Sequence, residues 1–122
     1  MKTITDFMPQ IRKALSYGSR YTAEELCAEI VAGRAQLWHQ GDGMVVTQLD
    51  HKPSGRGLYF WVAAGDLDDV IDLHRQACEW GKSVGCTWAT FVGRKGWEKV
   101  LVDEGWKADK RIVFYEKDLT HG

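Results

Sequence analysis

Gly57-Leu-Tyr-Phe-Trp-Val-Ala-Ala-Gly-Asp-Leu-Asp-Asp-Val-Ile-Asp-Leu-His-Arg-Gln-Ala-Cys-Glu-Trp-Gly81 is the stretch whose reading decides the fold. Its first part, Gly57 to Ala64, is aromatic and β-branched, the composition of a strand. From Asp66 to Gly81 the period changes to that of a helix, with Leu67, Val70, Ile71, His74, Ala77 and Cys78 in one stripe. A strand running into a helix N-terminus is a common phosphate site, because free backbone N–H groups and the helix dipole face the anion. This turn carries one glycine, Gly65, and the carboxylates of Asp66, Asp68 and Asp69, which repel a phosphate.

Working outward, Cys86 to Val92 reads as a second strand, and Trp97 to Glu104 as a helix closed by Gly105. Arg111 to Lys117 reads as a terminal strand. Upstream, Asp6 is a cap for a first helix carrying Phe7, Ile11, Ala14 and Leu15 and ending at Gly18. Thr22-Ala-Glu-Glu25 is a capping box, opening a helix that buries Leu26, Cys27, Ile30 and Val31 and stops at Gly33. Strands Ala35–Gln40 and Met44–Leu49 flank the hairpin signal Gly41-Asp42-Gly43. His51 to Gly57 reads as a polar loop. In the strand that follows, alternation sends Leu58, Phe60 and Val62 to one face and Tyr59 and Trp61 to the other. Both faces are apolar, as expected for a central strand covered by helices on both sides. The sum is one α+β domain spanning 1–122, a mixed central sheet flanked by helices on both faces.

Composition narrows the partners. The 122 residues carry a formal net charge of −1, which gives no general attraction to nucleic acid or anionic membrane. No run is long and apolar enough for a membrane span or a secretory signal, so the expected setting is cytoplasmic. Cys27, Cys78 and Cys86 are odd in number and widely spaced, the pattern of free, mostly buried thiols in a reducing compartment. None of the four histidines stands at zinc-ligand spacing from a cysteine, and no metal is expected. Six tryptophans enlarge the core or supply a contact surface.

The element order resembles the GNAT superfamily of N-acetyltransferases. Ile30-Val-Ala-Gly-Arg-Ala-Gln-Leu-Trp38 is similar to its second helix entering the first meander strand. Glu98-Lys-Val-Leu-Val-Asp-Glu-Gly-Trp106, with Phe114-Tyr115, is similar to its final helix and glycine-aromatic corner. The chain also resembles short GNAT-like proteins of tailed phages, including an internal virion protein. That resemblance implies a host-cytoplasmic or virion setting and a protein partner or self-association.

Three departures from the family pattern bear on chemistry. The family's acyl-CoA loop, Gln/Arg-x-x-Gly-x-Gly/Ala, is replaced by Ala63-Ala-Gly-Asp-Leu-Asp68. The family's leaving-group tyrosine, four positions before the terminal glycine, is replaced by Leu101. The glutamate base often found on the central strands has no counterpart between Leu58 and Val62. The expectation is therefore a catalytically silent domain with no catalytic residue and no cofactor. The alternative is an N-acetyltransferase whose acetyl-CoA sits on a variant loop at Gly65. Without cofactor, the gap between the two parallel strands is expected to be filled by Trp61, Trp88 and Trp97.

The remaining candidates are weighed on their chemistry. Asp66, Asp68, Asp69 and Asp72 complement the dipole of their own helix, the preferred reading over a divalent-ion site. His74 lies on an apolar face without a visible nucleophile, and reads as a hydrogen-bonded core or edge residue rather than a base. Arg94, Lys95 and Lys99, with Lys107, Lys110 and Arg111, form a basic surface around the last helix. The first three are the candidate partner-binding residues. Scattered basic residues without a motif do not make a nucleic-acid site.

Overall fold

The computed structural model describes residues 3–16, 21–93, 95–112 and 115–120. They fall into two compact units, Met1–Val92 and Gly93–Gly122.

In the first unit a 3-10 turn, Ile4–Phe7, leads into helix α1, Met8–Leu15, followed by α2, Ala23–Val31. Strands β1 (Gln36–Gln40), β2 (Gly43–Lys52) and β3 (Gly55–Ala64) form an antiparallel meander. Helix α3, Leu67–Ser83, then returns the chain to β4, Cys86–Phe91, which pairs parallel to β3. The sheet order is β1-β2-β3-β4.

Local chemistry explains the helix ends. Asp6 is not the first cap; it is the third residue of a capping box opened by Thr3, whose N–H donates to its carboxylate at 2.7 Å. Gly18, the expected end of that helix, lies outside the described residues. At α2, Glu25 N–H donates to Thr22 Oγ1 at 3.1 Å, and Thr22 N–H donates to Glu25 Oε1 at 2.9 Å. Thr22→Ala should therefore lower stability by about 1 kcal/mol, with Thr22→Ser restoring most of it in thermal melts. Of the apolar residues expected inside α2, Leu26 is buried, Cys27 and Ile30 are half-buried, and Val31 is exposed.

Two apolar layers sandwich the sheet. Phe7, Ile11, Leu15, Ala23 and Leu26 form one cluster with Ala35, Met44, Val46 and Val62. On the opposite face α3 buries Val70, Leu73, Ala77 and Gly81. Val70 and Ala77 of the expected stripe are buried, and Leu73 outside it is buried too; Ile71, His74 and Cys78 are half-buried and Leu67 is exposed. On that face Trp38 meets Trp80 edge-to-face, with centroids 5.7 Å apart, and Phe60 meets His74 at 5.4 Å.

The facing of β3 departs from simple alternation. Val46 pairs with Val62 and Thr47 with Phe60, so Trp61 is an extra residue without a partner on β2. The bulge reverses the pattern. Leu58 and Phe60 approach α3, at Gly81 and His74, whereas Val62 joins the α1–α2 cluster and Trp61 and Ala64 pack against it. Leu58, Phe60 and Val62 therefore do not share one face. The expected loop His51–Gly57 is also corrected. β2 runs to Lys52 and β3 starts at Gly55, so only Pro53 and Ser54 turn the chain. Backbone pairing extends through polar residues there because ladder bonds do not depend on side-chain polarity.

The second unit holds a helical stretch from Lys95 to Glu104, with the α-helical turn α4, Glu98–Leu101, at its centre. Gly105, at φ +85°, ends it. Gly105 N–H donates to Val102 O and Trp106 N–H to Leu101 O, the paired bonds of a Schellman motif. The terminal strand expected over 111–117 is absent from the described residues 111–112 and 115–117. Ile112 and Tyr115 are exposed, and a strand needs a paired neighbour to bury alternate side chains. Residues 113 and 114 lie outside the described set. Among the described residues no helix is long and apolar enough to cross a membrane.

Candidate functional site

The turn from β3 into α3 is built from the chain's own carboxylates. Asp66 is extended (φ −62°, ψ 130°) and caps α3, its Oδ1 accepting from Asp69 N–H at 3.1 Å. Asp69 in turn reaches the tip of the β1–β2 hairpin, where its Oδ2 accepts from Asp42 N–H at 3.3 Å. Asp66 N–H donates back to the Asp42 carbonyl at 3.4 Å. Gln40 Nε2 donates to Asp69 at 3.3 Å and to Asp72 at 3.2 Å, and Gln76 Nε2 donates to Gln40 Oε1 at 3.0 Å. The contact is close enough to require glycine. A Cβ on Gly65 would run into the Asp42 carbonyl, and one on Gly41 or Gly43 would strike the Asp69 side chain. Hairpin tip and helix start form one interlocked corner.

Beside this corner β4 ends before β3 does. Their pairing ends at Phe60 opposite Phe91, while β3 continues to Ala64. Trp61 packs against the α1–α2 cluster and meets Tyr21 edge-to-face, with centroids 4.6 Å apart. Trp88 covers Gly57, where its indole occupies the space a Cβ would take, and so lies at the paired end of the two strands. The expectation that Trp61 and Trp88 fill the gap is corrected: the bulge turns one into the α1–α2 layer, and the missing side chain of Gly57 seats the other. Trp97 belongs to the second unit.

The fold has known counterparts among solved structures. No family model and no curated relative matches the sequence. Solved structures do. An acetyltransferase of Trypanosoma brucei superposes with a TM-score of 0.66 at 12% identity, covering 95% of this chain and 96% of its own. Glucosamine-6-phosphate N-acetyltransferase of Arabidopsis thaliana gives 0.66 at 12% identity, covering 97% and 95%. An aminoglycoside acetyltransferase from an uncultured soil metagenomic sample, solved with sisomicin, gives 0.65 at 12% identity, covering 95% and 90%. The fold is GNAT-like.

Within the GNAT-like frame the sequence candidates fall in three places. Gly65 lies in the interlocked corner at φ +99°, beside Asp66 and Asp69; Asp68 is exposed, and Asp72 also pairs with Arg75 at 3.7 Å. His74 rests half-buried on Phe60. Lys99 stands exposed on α4 in the second unit. Arg94 lies outside the described residues, and of Lys95 the backbone alone is described, as part of a 3-10 turn. Lys110 pairs with Glu98 at 3.7 Å, and Arg111 with Asp109 at 3.0 Å, so these cations have acidic neighbours in their own unit.

Other reactive groups have structural surroundings. Cys27, Cys78 and Cys86 form no disulfide, and they are half-buried rather than buried. Cys27 Sγ donates to Met8 Sδ at 3.5 Å, and burial pushes the thiols of Cys27 and Cys86 up from their ordinary range, away from the reactive thiolate. Burial likewise raises Tyr59. Among the described residues no three His, Cys, Asp or Glu side chains converge as a metal site. Sequence reasoning missed Gln40 and Asp42, which complete the corner. Their signal was the pair of glycines around Asp42, read as turn formers when Gly43 is also a contact point.

Proposed function

We propose that this GNAT-like domain is catalytically silent and acts as a protein-interaction module. The observation that carries the proposal is the corner at the start of α3. A pyrophosphate binds a helix N-terminus through free N–H groups and a positive dipole. Here Asp66 occupies the cap, Asp69 bridges to Asp42, and the hairpin tip closes on Gly65. The carboxylates neutralise the dipole that an anion would use. The sequence departures at Leu101 and along Leu58–Val62 point the same way. The setting we attach to the module, a phage particle, rests on sequence resemblance alone.

A second reading is favoured by one observation. β3 runs on past the end of β4, at the place where the family's cofactor lodges, and the matched structures bear acetyltransferase names. In that reading acetyl-CoA would lie against the turn at Gly65.

Isothermal titration of the full chain with acetyl-CoA separates the two. The expected result is no saturable heat, meaning a dissociation constant weaker than about 1 mM. Saturable binding in the micromolar range, with acetyl transfer to an amine, would establish the second reading instead.

A further inference from the structure

A backbone nitrogen can attack the side chain of the aspartate before it, and it does so most readily when its own residue is glycine, which offers no side chain in the way. The chain holds no asparagine, and Asp42-Gly43 is its one Asp–Gly step. That step is the tip of the β1–β2 hairpin, with Asp42 exposed and Gly43 buried. Glycine is required there, because a Cβ on Gly43 would come within 2.6 Å of Asp69 Cβ. The fold thus keeps the most reactive pair in its sequence where the hairpin locks onto α3.

We propose that Asp42 is a site of spontaneous backbone modification, converting to its β-linked isomer, and that the interlocked corner controls the rate. The Gly43 nitrogen attacks Asp42 Cγ. The protonated carboxyl gives up its hydroxyl, which leaves as water with the hydrogen of the Gly43 N–H, and a five-membered succinimide closes. Water then adds back at one of the two ring carbonyls. Opening at Cγ restores the ordinary peptide. Opening at the main-chain carbonyl carbon sends the backbone through the former side chain and leaves a free α-carboxylate. The water lost is regained, nothing is oxidised or reduced, and the final mass is unchanged.

The folded corner restrains each moving part of that reaction. Gln40 and Gly43 pair across the two-residue turn, which engages the attacking N–H. Asp42 N–H donates to Asp69 Oδ2 at 3.3 Å, and the Asp42 carbonyl accepts from Asp66 N–H at 3.4 Å. Ring closure swings this carbonyl and Gly43 about the Asp42 Cα–C bond, so the tip must first lift off α3. Both bonds to α3 exceed the usual N–H···O length. An exposed tip held by such bonds opens locally, without unfolding of the domain. After conversion the main chain is one atom longer, and a two-residue turn has no room for it. Gly43 then loses its seat on Asp69, and the corner stays open. This depends on the corner's bonds alone, not on the interaction role or on acetyl-CoA.

The test is to age the full chain for weeks in neutral buffer and read β-linked aspartate by peptide mapping. The probes are a protein-isoaspartate methyltransferase with a labelled methyl donor, and a protease that cuts before ordinary aspartate only. The label should gather on the peptide holding Asp42, the cut before Asp42 should fade, and Asp42→Glu should abolish both signals. Asp69→Ala removes the acceptor of Asp42 N–H and should speed conversion about tenfold, the local opening expected from one lost bond. Gly65→Ala should act in the same direction, and Asp69→Ala carries the test if that variant misfolds. Gly85→Ala, strained but remote from the tip, should age like the parent chain. In the converted chain the Asp66 amide should exchange faster with solvent. Label spread evenly over the aspartates, or a rate unchanged by Asp69→Ala, would overturn the proposal. So would a converted chain whose Asp66 amide is as protected as before.

Discussion

Phe60→Ala is expected to lower stability by about 3–5 kcal/mol, a large effect for one side chain in a domain of this size. Phe60 is 4% exposed, sits opposite Thr47 on β2 and Phe91 on β4, and holds its ring against His74 on α3. Truncation removes the contact that links three strands to the helix and leaves a cavity that packed neighbours only partly fill. Urea unfolding should show a lower midpoint with an unchanged slope, the sign of a native-state loss. A loss below about 1 kcal/mol would mean that α3 does not close on the sheet as described.

Gly65→Ala is the second large effect. At φ +99° an L-residue is strained by about 1–2 kcal/mol, and the new methyl group would run into the Asp42 carbonyl. The hairpin tip must then retreat, weakening the bonds from Asp66 N–H to Asp42 and from Asp42 N–H to Asp69. Loss of those bonds adds about 1–2 kcal/mol. Gly85→Ala is the control: Gly85 has a similar φ of +92°, but a Cβ there meets nothing within 4 Å. The excess of the first substitution over the second measures the interlock. Equal losses would show that the tip and the helix start are not held together.

Much of the fold was legible because its signals are local. Thr22 and Glu25 announce a helix start within four residues, and the Gly41-Asp42 turn fixes a hairpin register by its own geometry. The helix stop at Gly105 is equally local. What failed depended on partners distant in sequence. The polarity of His51 to Gly57 suggested a loop, yet β2 and β3 pair through it. Arg111 to Lys117 has the β-branched and aromatic composition of a strand, but composition does not supply a neighbour to pair with it. The candidate site was half legible. The carboxylates at Asp66 and Asp69 were visible as helix-start residues, whereas their engagement with Gln40 and Asp42 joins segments more than twenty residues apart.

The bulge at Trp61 has a consequence for anyone who redesigns this domain. β3 obeys two opposite colouring rules in series: even-numbered residues look toward α3 up to Phe60 and toward the α1–α2 layer from Val62 onward. A combinatorial library written on one uninterrupted binary code would put polar residues into the interior at one end of the strand, whichever end it began from. Deleting Trp61 would make the ladder regular, with Phe60 still opposite Thr47 and Val62 still opposite Val46; forcing Trp61 into the ladder would instead turn Val62 and Ala64 out of the layer they now serve. In this strand the pattern on either side is correct because the spare residue is held out of the ladder.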